Sequence, residues 1–166
     1  MGCDNMTRII FVCHGNICRS TMAEFVMKDL VRRAGLENEI LISSAATTRE
    51  AIGSDTHPGT KAKLREKGIA FTKRQAVQLT SADYGVYDYL VAMDRENLAG
   101  IRRILGTDPA HKVHLLLDFT DAEHNEVADP WYTGDFEATY ADVLRGCQGL
   151  LAEIRHGAGR VSWFRK

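Results

Sequence analysis

Four short apolar runs constrain the fold more than any other feature of this sequence. They are RIIFVC (8–13), EILISSA (39–45), DYLVAM (88–93) and KVHLLL (112–117). Because each run is almost uniformly apolar, it is typical of a strand buried on both faces of a parallel sheet. Segments with helical periodicity separate the runs, and such alternation predicts an α/β domain with helices on both faces of the sheet.

The first helix is predicted to begin near Ser20. Apolar residues recur there at helical spacing, and Thr21 and Glu24 have the spacing of a capping box. Further helical segments are predicted at 57–68, 80–87, 94–106 and 134–157, with an acidic loop at 118–133.

Composition bounds the class of protein. The chain has 166 residues, 45% hydrophobic and 26% charged, which favours a single domain with flexible tails at 1–6 and about 158–166. A net charge of −1 gives no general affinity for nucleic acid. No apolar stretch approaches membrane-spanning length, and the polar N-terminus has no signal region. We therefore expect a cytoplasmic protein.

The loop after the first strand carries the chemistry. The sequence FVCHGNICRST (11–21) takes the chain from an apolar strand into a helix and delivers Cys13, Cys18 and Arg19 to one short loop. A structural zinc site needs four ligands, and Cys3 and Cys147 are distant in sequence, so no metal is expected. A disulfide between Cys13 and Cys18 is more plausible as a reversible regulatory bond than as a structural one.

A cradle for an anion fits this loop best. A strand–loop–helix unit directs free backbone amides and a helix N-terminus toward its loop. Gly15 and Asn16 tolerate positive φ, and the Arg19 guanidinium matches two oxygens of a phosphate. The same positive field favours a thiolate at Cys13. The arrangement predicts phosphoryl transfer through a phosphocysteine, with Ser20 hydrogen-bonding the sulfur.

Ligands of parallel sheets bind at the carboxyl ends of the strands. Cys13, Asp94 and Asp118 each follow or end a predicted strand. We therefore expect this edge of the sheet to hold the site.

The chain at this point resembles the low-molecular-weight protein tyrosine phosphatases. VCHGNICRSTMAE resembles the family's loop C-x-G-N-x-C-R-S, and further similarity lies in SSAATT (43–48), VAMDRENL (91–98) and ADPWYTGDFEATY (128–140). The resemblance implies a flavodoxin-like four-stranded parallel sheet in the order 2-1-3-4, without metal or cofactor. It also implies a phosphotyrosine-containing protein as substrate and a phosphate or sulfate bound in the loop.

The resemblance also implies roles for individual residues. Cys13 would be the nucleophile, Arg19 the oxyanion binder and Asp129 the general acid, while Cys18 would form a protective disulfide under oxidation. An acid at Asp129 makes chemical sense, because a phenolate leaves poorly unless it is protonated. Pro130 would stiffen the backbone beside it.

Supporting roles follow from the same resemblance. Asn16 and Ser20 would organise the loop, and Ser44 would hydrogen-bond Asn16. Asp94 is expected to orient Arg19, to cap the following helix, or to do both.

The sequence leaves two alternatives for each candidate wall of the expected pocket. Trp131 and Tyr132 are either walls for a phenyl ring or core anchors for the last helix. His14 stands where the family usually has a bulky apolar residue, and it would either favour acidic peptides or point to solvent. The full set expected to bind substrate is His14, Gly15, Asn16, Ile17, Cys18, Ser20, Trp131 and Tyr132.

Two further departures concern neighbouring loops. Arg49 and Glu50 occupy a stretch where the family often has an aromatic residue. The family's histidine before the segment Q-L-T is missing, and Arg74 and Gln75 lie nearby.

Three other functions compete with a tyrosine phosphatase. Arginine phosphatases of this fold carry threonine where this chain has Ile17. Thioredoxin-coupled arsenate reductases need further cysteines near the third strand, and residues 80–93 contain none. A non-catalytic phosphopeptide-binding module would make Cys13 dispensable, against the joint presence of Cys13, Arg19 and Asp129.

Overall fold

The computed structural model describes residues 6–157. The predicted tails at 1–6 and 158–166 therefore lie outside the described residues, apart from Met6. The elements in chain order are β1 Thr7–Cys13, α1 Arg19–Arg33, β2 Ile40–Ala46, α2 Pro58–Glu66, α3 Asp83–Val86, β3 Tyr89–Ala92, α4 Arg95–Leu105, β4 Val113–Leu115, a 3-10 turn Leu116–Phe119, α5 Pro130–Thr133 and α6 Phe136–Gly157.

The four strands form one parallel sheet in the order β2-β1-β3-β4. This confirms the predicted fold class, a sheet with helices on both faces. The central strand β1 ends at Cys13, which pairs with Ala46 of β2, and the adjacent Val12 pairs with Ala92 of β3. The carboxyl ends of the three strands therefore meet at one edge, where the loop 14–18 begins.

Both faces of β1 are buried, which explains its uniform apolar sequence. Ile9 and Phe11 pack in the larger core cluster with residues of α1 and α6. Ile10 and Val12 pack in a second cluster that includes Ile101 of α4. Burial of both faces at near-zero exposure fixes the strand, and with it the position of Cys13 at its end.

The first helix begins one residue earlier than predicted, and the predicted capping box is wrong. The N-cap is Cys18, which makes no side-chain capping bond. Thr21 lies inside the first turn because the loop runs directly into the helix, and its hydroxyl donates to the carbonyls of Ile17 and Cys18, both at 3.1 Å. Glu24 instead accepts a hydrogen bond from Ser44.

The fourth strand is shorter than predicted, and this displaces Asp118. The chain leaves the sheet after Leu115 and forms the 3-10 turn Leu116–Phe119. Asp118 is exposed on that turn and lines a separate cavity between β4 and α4. The prediction that Asp118 directly follows a strand is therefore wrong. No helix within residues 6–157 is long and apolar enough to span a bilayer.

Candidate active site

The loop between β1 and α1 turns its carbonyl groups outward. The carbonyl of Cys13 accepts from the amide of Thr47 at 2.9 Å, and that of His14 accepts from Thr48 at 3.2 Å. The carbonyl of Ile17 accepts from the His57 amide at 2.8 Å. These bonds tie the outer side of the loop to the segments that follow β2.

The amides of the loop face the other way. Asn16 has a φ of 59°, the left-handed conformation that the sequence predicts for this position. Within residues 6–157, no protein acceptor receives a hydrogen bond from the backbone amides of residues 14–18. A ring of unpaired amides at a helix N-terminus is a site for an anion.

A relay of hydrogen bonds reaches the sulfur of Cys13. The side-chain amide of Asn16 donates to Ser20 Oγ at 2.8 Å and to Ser44 Oγ at 2.9 Å. Ser20 Oγ lies 3.1 Å from Cys13 Sγ. Because Ser20 already accepts from Asn16, its hydroxyl hydrogen is free to be donated to an ionised sulfur. The relay therefore places a hydrogen-bond donor beside the sulfur of Cys13.

Arg19 is a buried cation that faces two carboxylates. Its Nη1 donates to Asp94 Oδ2 at 2.8 Å and to the carbonyl of Val127 at 3.1 Å, and its Nη2 donates to Asp129 Oδ2 at 3.3 Å. Burial opposes the charge, but the Cys13 sulfur and the two carboxylates outweigh burial and raise the pKa of Arg19. The guanidinium therefore stays charged beside the loop.

Asp94 has both roles that the sequence suggested for it. Besides its bond to Arg19, its side chain accepts from the amide of Asn97 at 2.8 Å and caps α4. Asn97 Oδ1 accepts in return from the amide of Asp94 at 3.3 Å, which completes a capping box. The cap fixes the carboxylate that orients the guanidinium.

Asp129 lines the same cavity although it lies 110 positions after Arg19 in the sequence. It is the N-cap of α5, and its Oδ1 accepts from the amide of Trp131 at 3.0 Å. Pro130 stands at the first helical position, as its fixed φ allows. The Asp129 side chain keeps 26% of its surface exposed, so it is accessible to a ligand.

The cavity has a volume of about 300 Å³, and Cys13 and Arg19 lie in its lining together with Asp129. Trp131 and Tyr132 also line it, and they are 66% and 84% exposed. Such exposure excludes the alternative that they anchor the core. The lining also includes His14, Gly15, Ile17, Cys18, Glu50, Ala51 and Glu96.

Cys18 is chemically unlike Cys13. Burial, followed by the negative charge of Cys13, raises the pKa of the Cys18 thiol to about 12. Both cysteines are free. Cys147, the other cysteine of the described residues, is fully buried in the core, where its Sγ lies 3.7 Å from the carbonyl oxygen of Ala23.

His14 lies at the mouth of the cavity and has a partner there. Its Nε2 lies 3.0 Å from Glu50 Oε1, and the two side chains are 45% and 72% exposed. His14 therefore does not simply point into solvent, because the acidic side chain of Glu50 lies beside it.

Arg74 is a supporting residue for which the sequence analysis had no role. Its Nη2 donates to Asn16 Oδ1 at 2.9 Å, its Nη1 donates to the carbonyl of Asn16 at 3.2 Å, and its Nε lies 3.6 Å from Glu24 Oε1. The amide of Val77 donates to the same Oδ1 at 3.2 Å. These donors fix the Asn16 amide group so that its nitrogen faces Ser20. The only sequence signal for this role was that the family's histidine before the segment Q-L-T is missing, with Arg74 nearby.

Asp55 anchors the backbone of Arg74. Its carboxylate accepts from Lys61 Nζ at 2.6 Å, from the Arg74 amide at 3.1 Å and from the Thr56 amide at 2.7 Å. These three hydrogen bonds, that of Lys61 first, lower the pKa of Asp55 to about 2. The support behind the loop therefore depends on an ionised carboxylate.

No group of three or more histidine, cysteine or acidic side chains within residues 6–157 is arranged to hold a metal ion.

The sequence matches known proteins along most of its length. A profile of the low molecular weight phosphotyrosine protein phosphatases matches residues 8–159. The low molecular weight protein-tyrosine-phosphatase YfkJ of Bacillus subtilis is 40% identical over 151 residues, which cover 90% of this chain and 97% of the relative.

Solved structures agree with the sequence matches. The crystal structure of B. subtilis YfkJ superimposes with a TM-score of 0.87 over 90% of this chain and 95% of that chain. SP-PTP, a low molecular weight protein tyrosine phosphatase from Streptococcus pyogenes, gives 0.79 at 37% identity over 90% and 93%. A drosophila arginine phosphatase gives 0.82 at 26% identity over 90% and 98%. The chain belongs to the low molecular weight phosphotyrosine protein phosphatase family.

Proposed function

We propose that the protein hydrolyses phosphotyrosine in protein substrates through a phosphocysteine intermediate. One observation supports the proposal: Cys13, Arg19 and Asp129 line one cavity together with the loop that follows β1, and within residues 6–157 the amides of 14–18 have no protein acceptor. A phosphate group bound by the amides and by Arg19 would lie over the sulfur of Cys13.

In the first step the sulfur of Cys13 attacks phosphorus, and the bond from phosphorus to the tyrosine oxygen breaks. Asp129 gives its proton to that oxygen, so that a neutral phenol leaves. Arg19 and the loop amides stabilise the negative charge on the equatorial oxygens. The Asp129 carboxyl must therefore enter this step protonated.

In the second step a water molecule attacks phosphorus, and the bond from phosphorus to sulfur breaks. The Asp129 carboxylate, left ionised by the first step, takes the proton from the water. The Ser20 hydroxyl keeps its proton and donates a hydrogen bond to the departing sulfur, and the bond that Ser20 accepts from Asn16 orients the hydroxyl for this. Phosphate is released, and Cys13 returns to its thiolate.

The cavity walls support a flat aromatic substrate. Trp131 and Tyr132 present exposed rings at the rim, suited to stack on a phenyl group. Ile17 gives the loop an apolar side chain, where arginine phosphatases of this fold carry threonine. We therefore favour phosphotyrosine over phosphoarginine as the substrate.

The test is a pair of variants assayed on aryl phosphates. Cys13→Ser should still bind inorganic phosphate but should not hydrolyse any ester. Asp129→Ala should lose activity by about 10²- to 10⁴-fold on phenols that leave poorly, and less on phenols that leave well. An Asp129→Ala loss that is equal for all leaving groups would remove its role as the acid.

A substrate panel separates the candidate functions. Peptides with phosphotyrosine, phosphoarginine or phosphoserine should be compared at equal concentration, with arsenate and thioredoxin as a further arm. Preferential release of phosphate from phosphotyrosine supports the proposal. Faster turnover of phosphoarginine, or reduction of arsenate, would replace it.

We also propose that the protein acts in the cytoplasm. Cys13, Cys18 and Cys147 are all free thiols, and a reducing compartment would keep them so.

A further inference from the structure

Helix α6 holds both backbone polar groups of Ala128, the residue that precedes Asp129. The hydroxyl of Thr139 donates to the carbonyl of Ala128 at 2.8 Å, and the amide of Ala128 donates to Asp142 Oδ2 at 3.3 Å. Thr139 is fully buried, and the Asp142 side chain is only 13% exposed. Two side chains one helical turn apart therefore hold the peptide groups on both sides of the Ala128 Cα.

Val127, the residue before Ala128, also has both of its backbone polar groups in hydrogen bonds. The amide of Val127 donates to the carbonyl of Met93 at 2.9 Å, and the carbonyl of Val127 accepts from Arg19 Nη1 at 3.1 Å. The chain that leads into Asp129 is thus attached to Met93 just after β3, to Arg19 at the start of α1, and to α6.

The carboxyl of Asp129 itself has weaker restraints. Its side chain accepts from the Trp131 amide within its own short helix and meets Arg19 at 3.3 Å. Neither contact fixes the distance from Asp129 to a leaving group above Cys13. That distance depends on the backbone just before Asp129, which the clamp from α6 determines.

We propose that Thr139 and Asp142 are positioning residues for the general acid. They hold the backbone of Ala128 so that the Asp129 carboxyl faces the leaving-group oxygen before substrate binds. This inference rests on the proposed function, since it concerns the proton transfer of that reaction. Proton transfer is sensitive to small displacements, because the acid must come within hydrogen-bonding distance of the oxygen.

The carboxylate of Asp142 is oriented by a further partner. Its Oδ1 lies 2.9 Å from His124 Nε2, which leaves Oδ2 directed toward the Ala128 amide. His124 belongs to the same loop as Asp129, so the loop is tied to α6 at two points.

The decisive experiment removes the Thr139 hydroxyl and measures the dependence on the leaving group. Thr139→Val keeps the shape of the side chain and deletes the donor, while Thr139→Ser keeps the donor. We expect Thr139→Val to lose about tenfold in kcat/KM on phenyl phosphate but at most about twofold on 4-nitrophenyl phosphate, whose phenol leaves without help. Thr139→Ser should restore most of the activity on both.

Two readouts separate positioning from a purely structural role. In Thr139→Val, two quantities should stay at wild-type values because the substitution does not alter the loop 14–18. They are the rate of Cys13 alkylation by iodoacetate and the inhibition constant of inorganic phosphate. Thr120→Val is the matched control: its hydroxyl also donates to a backbone carbonyl of the same region, that of Leu117 at 2.6 Å, but not beside Asp129. It should show no change in leaving-group dependence.

Several results would overturn the inference. A loss of equal size on both esters, or a loss in Thr139→Ser as large as in Thr139→Val, excludes it. So does a Thr139→Val substitution that costs the same factor in the Asp129→Ala background as in the wild type. If Thr139→Val does not fold, Asp142→Ala carries the same test on the other half of the clamp. A wild-type protein that hydrolyses neither ester would instead refute the proposed function.

Discussion

Removing the Arg74 side chain should destabilise the protein and weaken phosphate binding together. Arg74→Met deletes two hydrogen bonds from a charged donor to the buried Asn16, at 2.9 and 3.2 Å, and leaves Glu24 without one of its cationic neighbours. Hydrogen bonds to charged groups contribute about 1.5–3 kcal/mol each. Because Val77 still donates to Asn16 Oδ1, we expect a loss of about 2–4 kcal/mol in the free energy of unfolding.

The same loss should be visible in two assays. For a domain of this size it corresponds to a fall of roughly 5–15 °C in Tm. The inhibition constant of inorganic phosphate should rise about three- to tenfold, because a freer Asn16 leaves the loop in its binding conformation for less of the time. Arg74→Lys should retain part of the stability, since it keeps a charge opposite Glu24, but it lacks the planar fork that holds both oxygens of Asn16.

Arg65→Met is the control for loss of an arginine, since Arg65 is exposed on α2 and its guanidinium stacks on the ring of Phe71. The reasoning is refuted if Arg74→Met melts within about 2 °C of the control and binds phosphate as tightly as the wild type. A fall in Tm with unchanged phosphate affinity would show that Arg74 supports the fold but not the loop.

Three further predictions address pH, specificity and oxidation. The folded-state pKa of Asp55 lies at about 2, below its ordinary 3.8, so its contribution is present above pH 3.8 and is lost as pH falls through 2. The difference in Tm between wild type and Asp55→Asn should therefore shrink over this window, and a constant difference would contradict the assignment. His14→Leu frees Glu50 at the cavity mouth, so turnover should shift toward peptides with basic residues beside phosphotyrosine; an unchanged ratio of acidic to basic peptides would leave His14 without a role. Peroxide should join Cys13 to Cys18, and peptide mapping of the oxidised protein should find that disulfide, whereas Cys18→Ser should be oxidised irreversibly at Cys13. Over-oxidised Cys13 in the wild type would exclude protection by Cys18.

The fold was predictable because its signals are local and strong. The strand β1 and its neighbours are uniformly apolar, and helical periodicity separates them, so a parallel sheet was the natural solution. The prediction was less accurate for β4, where the apolar run KVHLLL continues past the sheet. Leu116 and Leu117 are buried in the 3-10 turn, and an apolar sequence cannot tell burial in a turn from burial in a strand.

The core of the site was predictable for a different reason. Cys13, Asn16 and Arg19 lie within residues 13–19, where β1 passes into α1, so their spacing in the sequence already brings them together. The capping box at Thr21 failed because residue spacing does not reveal where a loop enters a helix. The role of Asp129 was predicted from the resemblance and from the need to protonate the phenolate leaving group of the substrate.

The supporting residues could not be predicted, because they act over long distances in sequence. Arg74 reaches Asn16 across 58 positions, and its side chain carries no local signal of that contact. Thr139 and Asp142 look like ordinary polar residues of an amphipathic helix. Only the packing of α6 against the loop brings them to Ala128.

The proposed reaction requires Cys13 to become covalently phosphorylated during turnover. Its most direct test is rapid acid quenching of Asp129→Ala with an aryl phosphate whose phenol leaves well, since this variant should slow the attack of water and let the intermediate accumulate. Mass spectrometry should then find one phosphoryl group on the peptide that contains Cys13. A phosphoryl group on another residue, or burst release of phenol without any phosphorylated peptide, would contradict the account.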